Sequence, residues 1–153
     1  MNKETTALSG IAYLIGRINR DGLLQENYKS WFEETYQGYE VNETTLELLK
    51  EKLQGVSIKI FMATWCPDAR REVPRFYKIL DIISFNEQEL GVVSLDRYKE
   101  TPEKHEAGFS IRSVPTFIFY RNEQELGRIV ERPSISLEED MLKIIGGGVN
   151  GNG

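Results

Sequence analysis

Cysteine and histidine are almost absent from this chain of 153 residues, which contains one of each, Cys66 and His105. A single cysteine cannot close an internal disulfide, so a framework held together by disulfides is excluded. Without a cluster of cysteines and histidines the sequence has no metal site of the usual zinc type, and we expect neither a metal nor another cofactor. The lone cysteine fits a reducing compartment, and we expect a cytoplasmic protein.

Basic residues and long apolar runs are also scarce. The chain has 19 Lys and Arg against 24 Asp and Glu, a net charge of −5. Nucleic-acid binding needs a basic face, so we expect no nucleic-acid partner. No apolar run approaches the roughly 20 residues that span a bilayer, so we expect no membrane span. With 40% hydrophobic residues, the chain can bury the core of one globular domain.

The two ends of the chain differ in character. Apolar residues recur at helical spacing from Leu8 to Ile18, from Leu24 to Tyr36, and again after Asn42, a suitable N-cap. We therefore predict a helical extension over residues 1–54 that packs on the main domain. Residues 147–153 are mostly glycine and asparagine, which predicts a flexible tail.

The main domain is predicted over residues 55–146, where strands and helices alternate. The pattern predicts strands over 56–63, 91–95, 116–120 and 125–131, a long helix from Pro67, a short helix over 101–109, and a last helix that opens with the capping box Ser136–Glu139. A strand, helix, strand unit implies a parallel pair, and the closing hairpin adds antiparallel strands. We therefore predict an α/β fold with a mixed four-stranded core sheet flanked by helices.

The segment Trp65-Cys66-Pro67-Asp68-Ala69 lies where the first of these strands gives way to the long helix. Proline suits the first helical turn, where its missing N–H is not needed. A cysteine that begins a helix faces unpaired N–H groups and the positive end of the helix dipole, both of which favour the reactive thiolate. The structural alternative is a buried and inert thiol, as free cysteines usually are.

This segment resembles the Trp-Cys-x-x-Cys site of thioredoxins, with Ala69 in place of the second cysteine. Pro74 resembles the proline inside the family's long helix, and Val114-Pro115 the segment that holds its cis-proline. Over about residues 55–145 the chain is therefore similar to the thioredoxin family.

The resemblance implies a thioredoxin-like fold and assigns roles to the residues that match. Cys66 would be the nucleophile. Trp65, Pro67, Val114 and Pro115 would contact the substrate, and Asp68, Ala69, Arg70 and Pro74 would support the site.

Two departures from the family pattern leave the function open. Ala69 removes the thiol that would release a mixed disulfide, and Ile60 stands where thioredoxins bury an aspartate. The resemblance implies thiol–disulfide exchange through one cysteine with protein or small-molecule partners and release by an external thiol, which would make the chain a monothiol oxidoreductase or isomerase. A redox-inactive thioredoxin-fold module that binds peptides or partner proteins is the alternative. A third interpretation is that Ala69 is an engineered replacement that traps mixed disulfides.

Overall fold

The computed structural model describes the backbone of residues 1–150 and the side chains of residues 1–146. The strands are β1 (Lys3–Thr6), β2 (Ala12–Ile18), β3 (Val56–Met62), β4 (Leu90–Ser94), β5 (Thr116–Arg121) and β6 (Gln124–Val130). The helices are α1 (Arg20–Leu23), α2 (Glu26–Gly38), α3 (Glu43–Lys52), α4 (Pro67–Ile82) and α5 (Leu137–Asn150), with a 3-10 turn at Glu87–Glu89.

All six strands belong to one mixed sheet with the order β1-β2-β4-β3-β5-β6. β3 and β4 are parallel, and every other neighbouring pair is antiparallel. The predicted four-stranded core sheet is confirmed as the β4-β3-β5-β6 part. β3 lies inside this sheet, and its buried residues Ile58, Ile60 and Met62 alternate with Lys59 and Phe61 on the other face. The carboxyl end of β3 therefore delivers the chain to α4 near the middle of one sheet edge.

The helix predicted from Leu8 to Ile18 is wrong, because residues 12–18 form β2. Gly16 has a φ of 91°, in the left-handed region that a regular helix does not use. Leu14, Ile15 and Ile18 are all buried although they point to both faces of the strand, and their spacing imitates a helical period. The first 54 residues are therefore not purely helical, since they add two strands to the sheet.

The other predicted N-terminal helices are present as α2 and α3. Asn42 caps α3 as predicted, and its side-chain oxygen accepts a hydrogen bond from the Thr45 N–H at 3.1 Å. α2 packs against α4, and α3 packs against α5. The buried carboxylate of Glu138 in α5 accepts from the Asn42 N–H at 2.7 Å and from the Tyr39 hydroxyl. These bonds join the connection between α2 and α3 to the last helix.

The segment between β4 and β5 forms turns, so the helix predicted over residues 101–109 is wrong. The Glu106 carboxylate accepts from the backbone N–H and the hydroxyl of Thr101, at 3.0 and 2.8 Å. These local side-chain bonds compete with helical hydrogen bonds. The Phe109 ring packs with its centre 5.0 Å from that of Phe61, so this segment still covers part of the sheet.

α5 begins at the predicted capping box. The Ser136 hydroxyl accepts from the Glu139 N–H at 3.0 Å, which satisfies one of the free N–H groups of the first turn. The helix is described as far as Asn150, so it overlaps the start of the segment 147–153 that was predicted as a tail. Residues 151–153 lie outside the described part of the chain.

Candidate active site around Cys66

Cys66 is the residue immediately before α4, at the sheet edge where β3 ends. Its N–H donates to the Ala63 carbonyl at 3.1 Å, and its own carbonyl accepts from the Arg70 N–H at 3.0 Å, the first bond of the helix. Pro67 occupies the first helical position, as the sequence predicted. This arrangement places the Cys66 thiol at the positive end of a helix of 16 residues.

The thiol faces the segment before β5. Cys66 is only 8% exposed, and its Sγ lies 3.4 Å from the Val114 carbonyl oxygen, to which it donates. The peptide bond between Val114 and Pro115 is cis. The Pro115 carbonyl in turn accepts from the Glu131 N–H at 2.7 Å. A hydrogen-bonded backbone therefore holds a main-chain carbonyl directly beside the sulfur.

Trp65 precedes Cys66 in the chain, and a side-chain hydrogen bond holds its ring in place. Its indole N–H donates to the Leu95 carbonyl at 3.0 Å, which fixes the half-buried ring against the end of β4. The Arg97 guanidinium lies 5.1 Å from the centre of the ring, in the range of a cation–π contact. The structure therefore brings together Trp65, Cys66, Val114 and Pro115, four of the five residues predicted to act on or contact substrate, with Pro67 exposed next to them.

Arg70 and Asp68, predicted to support the site, are bound to other groups. The Nε of Arg70 donates to the Thr64 carbonyl at 2.7 Å, and its guanidinium lies 5.5 Å from the centre of the Trp31 ring. The Asp68 carboxylate accepts from Arg71 at 2.8 Å, so its charge is compensated. Neither side chain has a hydrogen bond to the sulfur in the structure.

Glu72 is a buried acid that the sequence analysis missed. It is 2% exposed, its Oε2 accepts from the Arg71 Nε at 2.7 Å, and its Oε1 has no partner in the described part of the chain. The hydrogen bond with Glu72, and then that with Asp68, raises the pKa of Arg71. A glutamate inside the amphipathic pattern of α4 gave no sequence signal, since charged residues usually lie on the exposed face of a helix.

The positions that depart from the thioredoxin pattern are both inside the protein. Ala69 and Ile60 are fully buried, and Pro74 is buried within α4. Thr64 is a further residue that the sequence analysis missed, since its hydroxyl accepts from the Leu14 N–H at 3.2 Å and so ties the segment before Cys66 to β2. No periodicity or motif points to this contact, which depends on the register of β2.

Over the described residues, no three His, Cys, Asp or Glu side chains come together as a metal would require. None of the helices over the same residues is both long and apolar enough for a membrane span.

Comparison with known proteins shows which proteins this chain is similar to. A family model described as thioredoxin matches residues 23–142. Thioredoxin H5 of Oryza sativa subsp. japonica is 31% identical over 97 residues, which cover 63% of this chain and 67% of that protein. Putative thioredoxin-5 of Dictyostelium discoideum is 30% identical over 90 residues, 59% of this chain and 82% of that one. Thioredoxin H-type of Brassica oleracea is 26% identical over 87 residues, 54% of this chain, and the match spans only 63% of that relative's length. The matched region starts after β2, so the N-terminal hairpin lies outside it.

Proposed function

This chain belongs to the thioredoxin family, and from that membership we propose that it carries out thiol–disulfide exchange through Cys66 alone. The observation that carries the proposal is the position of the thiol, which begins α4 and lies 3.4 Å from the Val114 carbonyl. The start of α4 places unpaired N–H groups and the positive end of the helix dipole beside the residue whose sulfur would attack a disulfide. A single reactive cysteine fits a reducing compartment such as the cytoplasm.

The proposed reaction has two steps. The Cys66 thiolate attacks one sulfur of a substrate disulfide, a new S–S bond forms, and the displaced thiolate leaves with the electron pair and takes up a proton. Ala69 has no sulfur, so release needs a second thiolate from outside the chain or from the substrate itself. That thiolate attacks the mixed disulfide and returns Cys66 to its reduced form. The net result is exchange or isomerisation, with protein or small-molecule thiols and disulfides as substrates.

The neighbouring residues have proposed roles in holding the substrate. Loss of the Sγ–H donor on disulfide formation frees the Val114 carbonyl to accept a hydrogen bond from an extended peptide. Trp65, fixed by its bond to the Leu95 carbonyl, offers the substrate a flat apolar face. Pro67, which follows Cys66 in the chain, and Pro115, which follows Val114, would complete the contact surface for the substrate.

A second candidate is a binding module without turnover. It is favoured by the low exposure of Cys66, 8%, and by the absence of a buried acid at Ile60 or a second thiol at Ala69. In this alternative the same surface binds a peptide or a partner protein and the thiol is protected rather than reactive.

The rate of mixed-disulfide formation separates the two candidates. The native protein is mixed with oxidised glutathione over a range of pH, and the product is counted by intact mass. The same chain in concentrated urea gives the reference rate of an ordinary cysteine, and Cys66→Ser gives the blank. If Cys66 carries out exchange, we expect the native rate at neutral pH to exceed the unfolded rate, because only the folded chain holds the sulfur at the start of α4 beside the substrate-binding segment. A native rate below the unfolded rate at every pH contradicts exchange and supports the binding module.

A further inference from the structure

We propose that four exposed arginines around Cys66 recognise an acidic polypeptide as the partner in exchange. This arginine rim consists of Arg70, Arg97, Arg112 and Arg132. The inference rests on the proposed function, and it adds the chemical class of the substrate.

Two members of the arginine rim contact the site directly. Arg70 lies in the first turn of α4, where its N–H donates to the Cys66 carbonyl, and its Nε is fixed at 2.7 Å from the Thr64 carbonyl. The Arg97 guanidinium lies 5.1 Å from the centre of the Trp65 ring. These contacts hold two positive charges near the Trp-Cys segment, one from α4 and one from the segment after β4.

The other two members flank the segment that faces the sulfur. Arg112 precedes Val114 by two residues. Arg132 follows Glu131, whose N–H donates to the Pro115 carbonyl at 2.7 Å. The four arginines thus come from four separate stretches of the chain that meet at the Cys66 edge of the sheet.

These arginines are not neutralised by the protein itself. Among the described residues, every ion pair within 4.0 Å involves other cations, so none of the four has a carboxylate at that distance. The charges of the rim are therefore available to a ligand.

Acidic residues do lie near the rim, but they do not cancel it. Asp68 is bound by Arg71 at 2.8 Å. Asp96 turns its Oδ1 to the backbone N–H groups of Tyr98 and Glu100, at 2.8 and 3.0 Å. Glu131 is exposed. Glu72 is also bound by Arg71, at 2.7 Å, and Glu100 is bound by Lys104 at 3.2 Å, so these acidic side chains are compensated by cations outside the rim.

An extended polypeptide fits this surface better than a compact molecule. Three concave surfaces of the protein lie at residues 50–56 with 83–89, along β4 beside β2, and on α3, and none of them includes Cys66. The charges around the thiol are instead spread over four separate segments, which a chain with several carboxylates could contact together. Tyr98 and Ile135, 85% and 78% exposed on two of these segments, add apolar contact area that a peptide could cover.

The test compares two synthetic peptides of equal length, each with a central cysteine as its 2-pyridyl disulfide. Aspartate and glutamate flank the cysteine in one, and serine and glutamine in the other. The Cys66 thiolate attacks the peptide sulfur, a new S–S bond forms, and thiopyridone leaves with the electron pair and takes up a proton, so its absorbance gives the rate. Complementary charge raises association rates 10- to 1000-fold in favourable cases, and we expect about tenfold for the acidic peptide at low salt. Screening should remove most of this advantage at about 0.5 M salt, where the Debye length is a few Å.

Variants assign the effect to the rim. Arg112→Ser with Arg132→Ser should slow the acidic peptide about threefold and leave the neutral peptide unchanged, since each surface charge contributes a modest share. Arg121→Ser is the matched control, because Arg121 pairs with Val56 at the far end of β5. Arg97→Ser provides an independent measurement on a second segment.

Each outcome decides one question. If the native protein reacts with both peptides at equal rates, and faster than the unfolded chain does, the recognition role of the rim is overturned and the proposed exchange is unaffected. If the native protein reacts with the neutral peptide more slowly than the unfolded chain does, the result contradicts the proposed exchange itself. Oxidised glutathione is the third substrate. If it reacts as fast as the acidic peptide and is slowed equally by the rim variants, the proposal of a polypeptide substrate is overturned in favour of a small anionic disulfide.

Discussion

Replacing Glu138 with alanine should loosen the N-terminal helices from the rest of the protein. The Glu138 carboxylate is 1% exposed and accepts from the Asn42 N–H at 2.7 Å and from the Tyr39 hydroxyl. Both partners lie in the connection between α2 and α3, whereas Glu138 lies in α5. One side chain therefore couples residues almost one hundred positions apart in sequence.

The size of the effect follows from these two bonds. A hydrogen bond to a charged group contributes about 1.5–3 kcal/mol to the free energy of unfolding. Water can replace the carboxylate at Asn42, which is exposed, and in part at Tyr39, which is half-buried. We therefore expect Glu138→Ala to cost about 2–4 kcal/mol, below the sum of two full bonds. Glu138→Gln keeps the shape and one acceptor and should cost about 1 kcal/mol.

Urea unfolding followed by far-ultraviolet circular dichroism measures this free energy. Tyr39→Phe and the double variant complete a cycle, and we expect a coupling between the two residues of about 1–2 kcal/mol. Glu47→Ala on the exposed side of α3 is the control and should stay within about 0.5 kcal/mol of the parent. A Glu138→Ala variant as stable as that control, or a coupling of zero, would refute the reasoning.

Three further changes have definite expected outcomes. Ala69→Cys should form a disulfide with Cys66 under mild oxidation, seen as the loss of both alkylatable thiols, while a variant that keeps two free thiols would contradict the thioredoxin-like geometry of this turn. The hydrogen bond from Tyr28 lowers the pKa of Glu4, so the stability that the Glu4 carboxylate contributes is present above the ordinary carboxyl pKa of about 4.3 and is lost as the pH falls through the lowered pKa. Glu4→Gln should therefore reduce the loss of stability at acid pH in unfolding experiments. An unchanged dependence of stability on pH would argue against this role of Glu4. Phe117→Ala, at a fully buried position, should cost about 3–5 kcal/mol in urea unfolding, and a loss below 1 kcal/mol would mean that the core there is not tightly packed.

Local signals in the sequence predicted the elements that depend on local chemistry. Asn42 and Ser136 each cap a helix, and Pro67 begins one, because such residues act on N–H groups within a single turn. The alternation of buried Ile58 and Ile60 with less buried Ser57 and Lys59 predicted β3, because a period of two is typical of a strand.

Elements that depend on distant partners were predicted wrongly or missed. Leu14 and Ile15 point to opposite faces of β2 and are both buried, so the apolar spacing of this strand carried no strand period. The turns over 101–109 are a different case, because their partners are local: the Glu106 carboxylate accepts from Thr101, and composition does not decide between this arrangement and a helix. At the site, the Trp-Cys-Pro segment could be recognised from its residue types. The hydrogen bonds of Thr64 and Arg70 could not be predicted, because they depend on how the folded chain brings their partners together.

The order of the strands also bears on whether the protein remains dispersed in solution. β1 is the outermost strand on its side, and an edge strand offers free N–H and C=O groups to other chains. It is only four residues long and carries Lys3 and Glu4, features that oppose pairing between molecules. β2 behind it is longer and contains Leu14 and Ile15, which would make a far better template for aggregation. The short charged strand β1 therefore shields β2 from pairing with other molecules. Protonation of Glu4 or removal of the first ten residues should make the protein prone to aggregate.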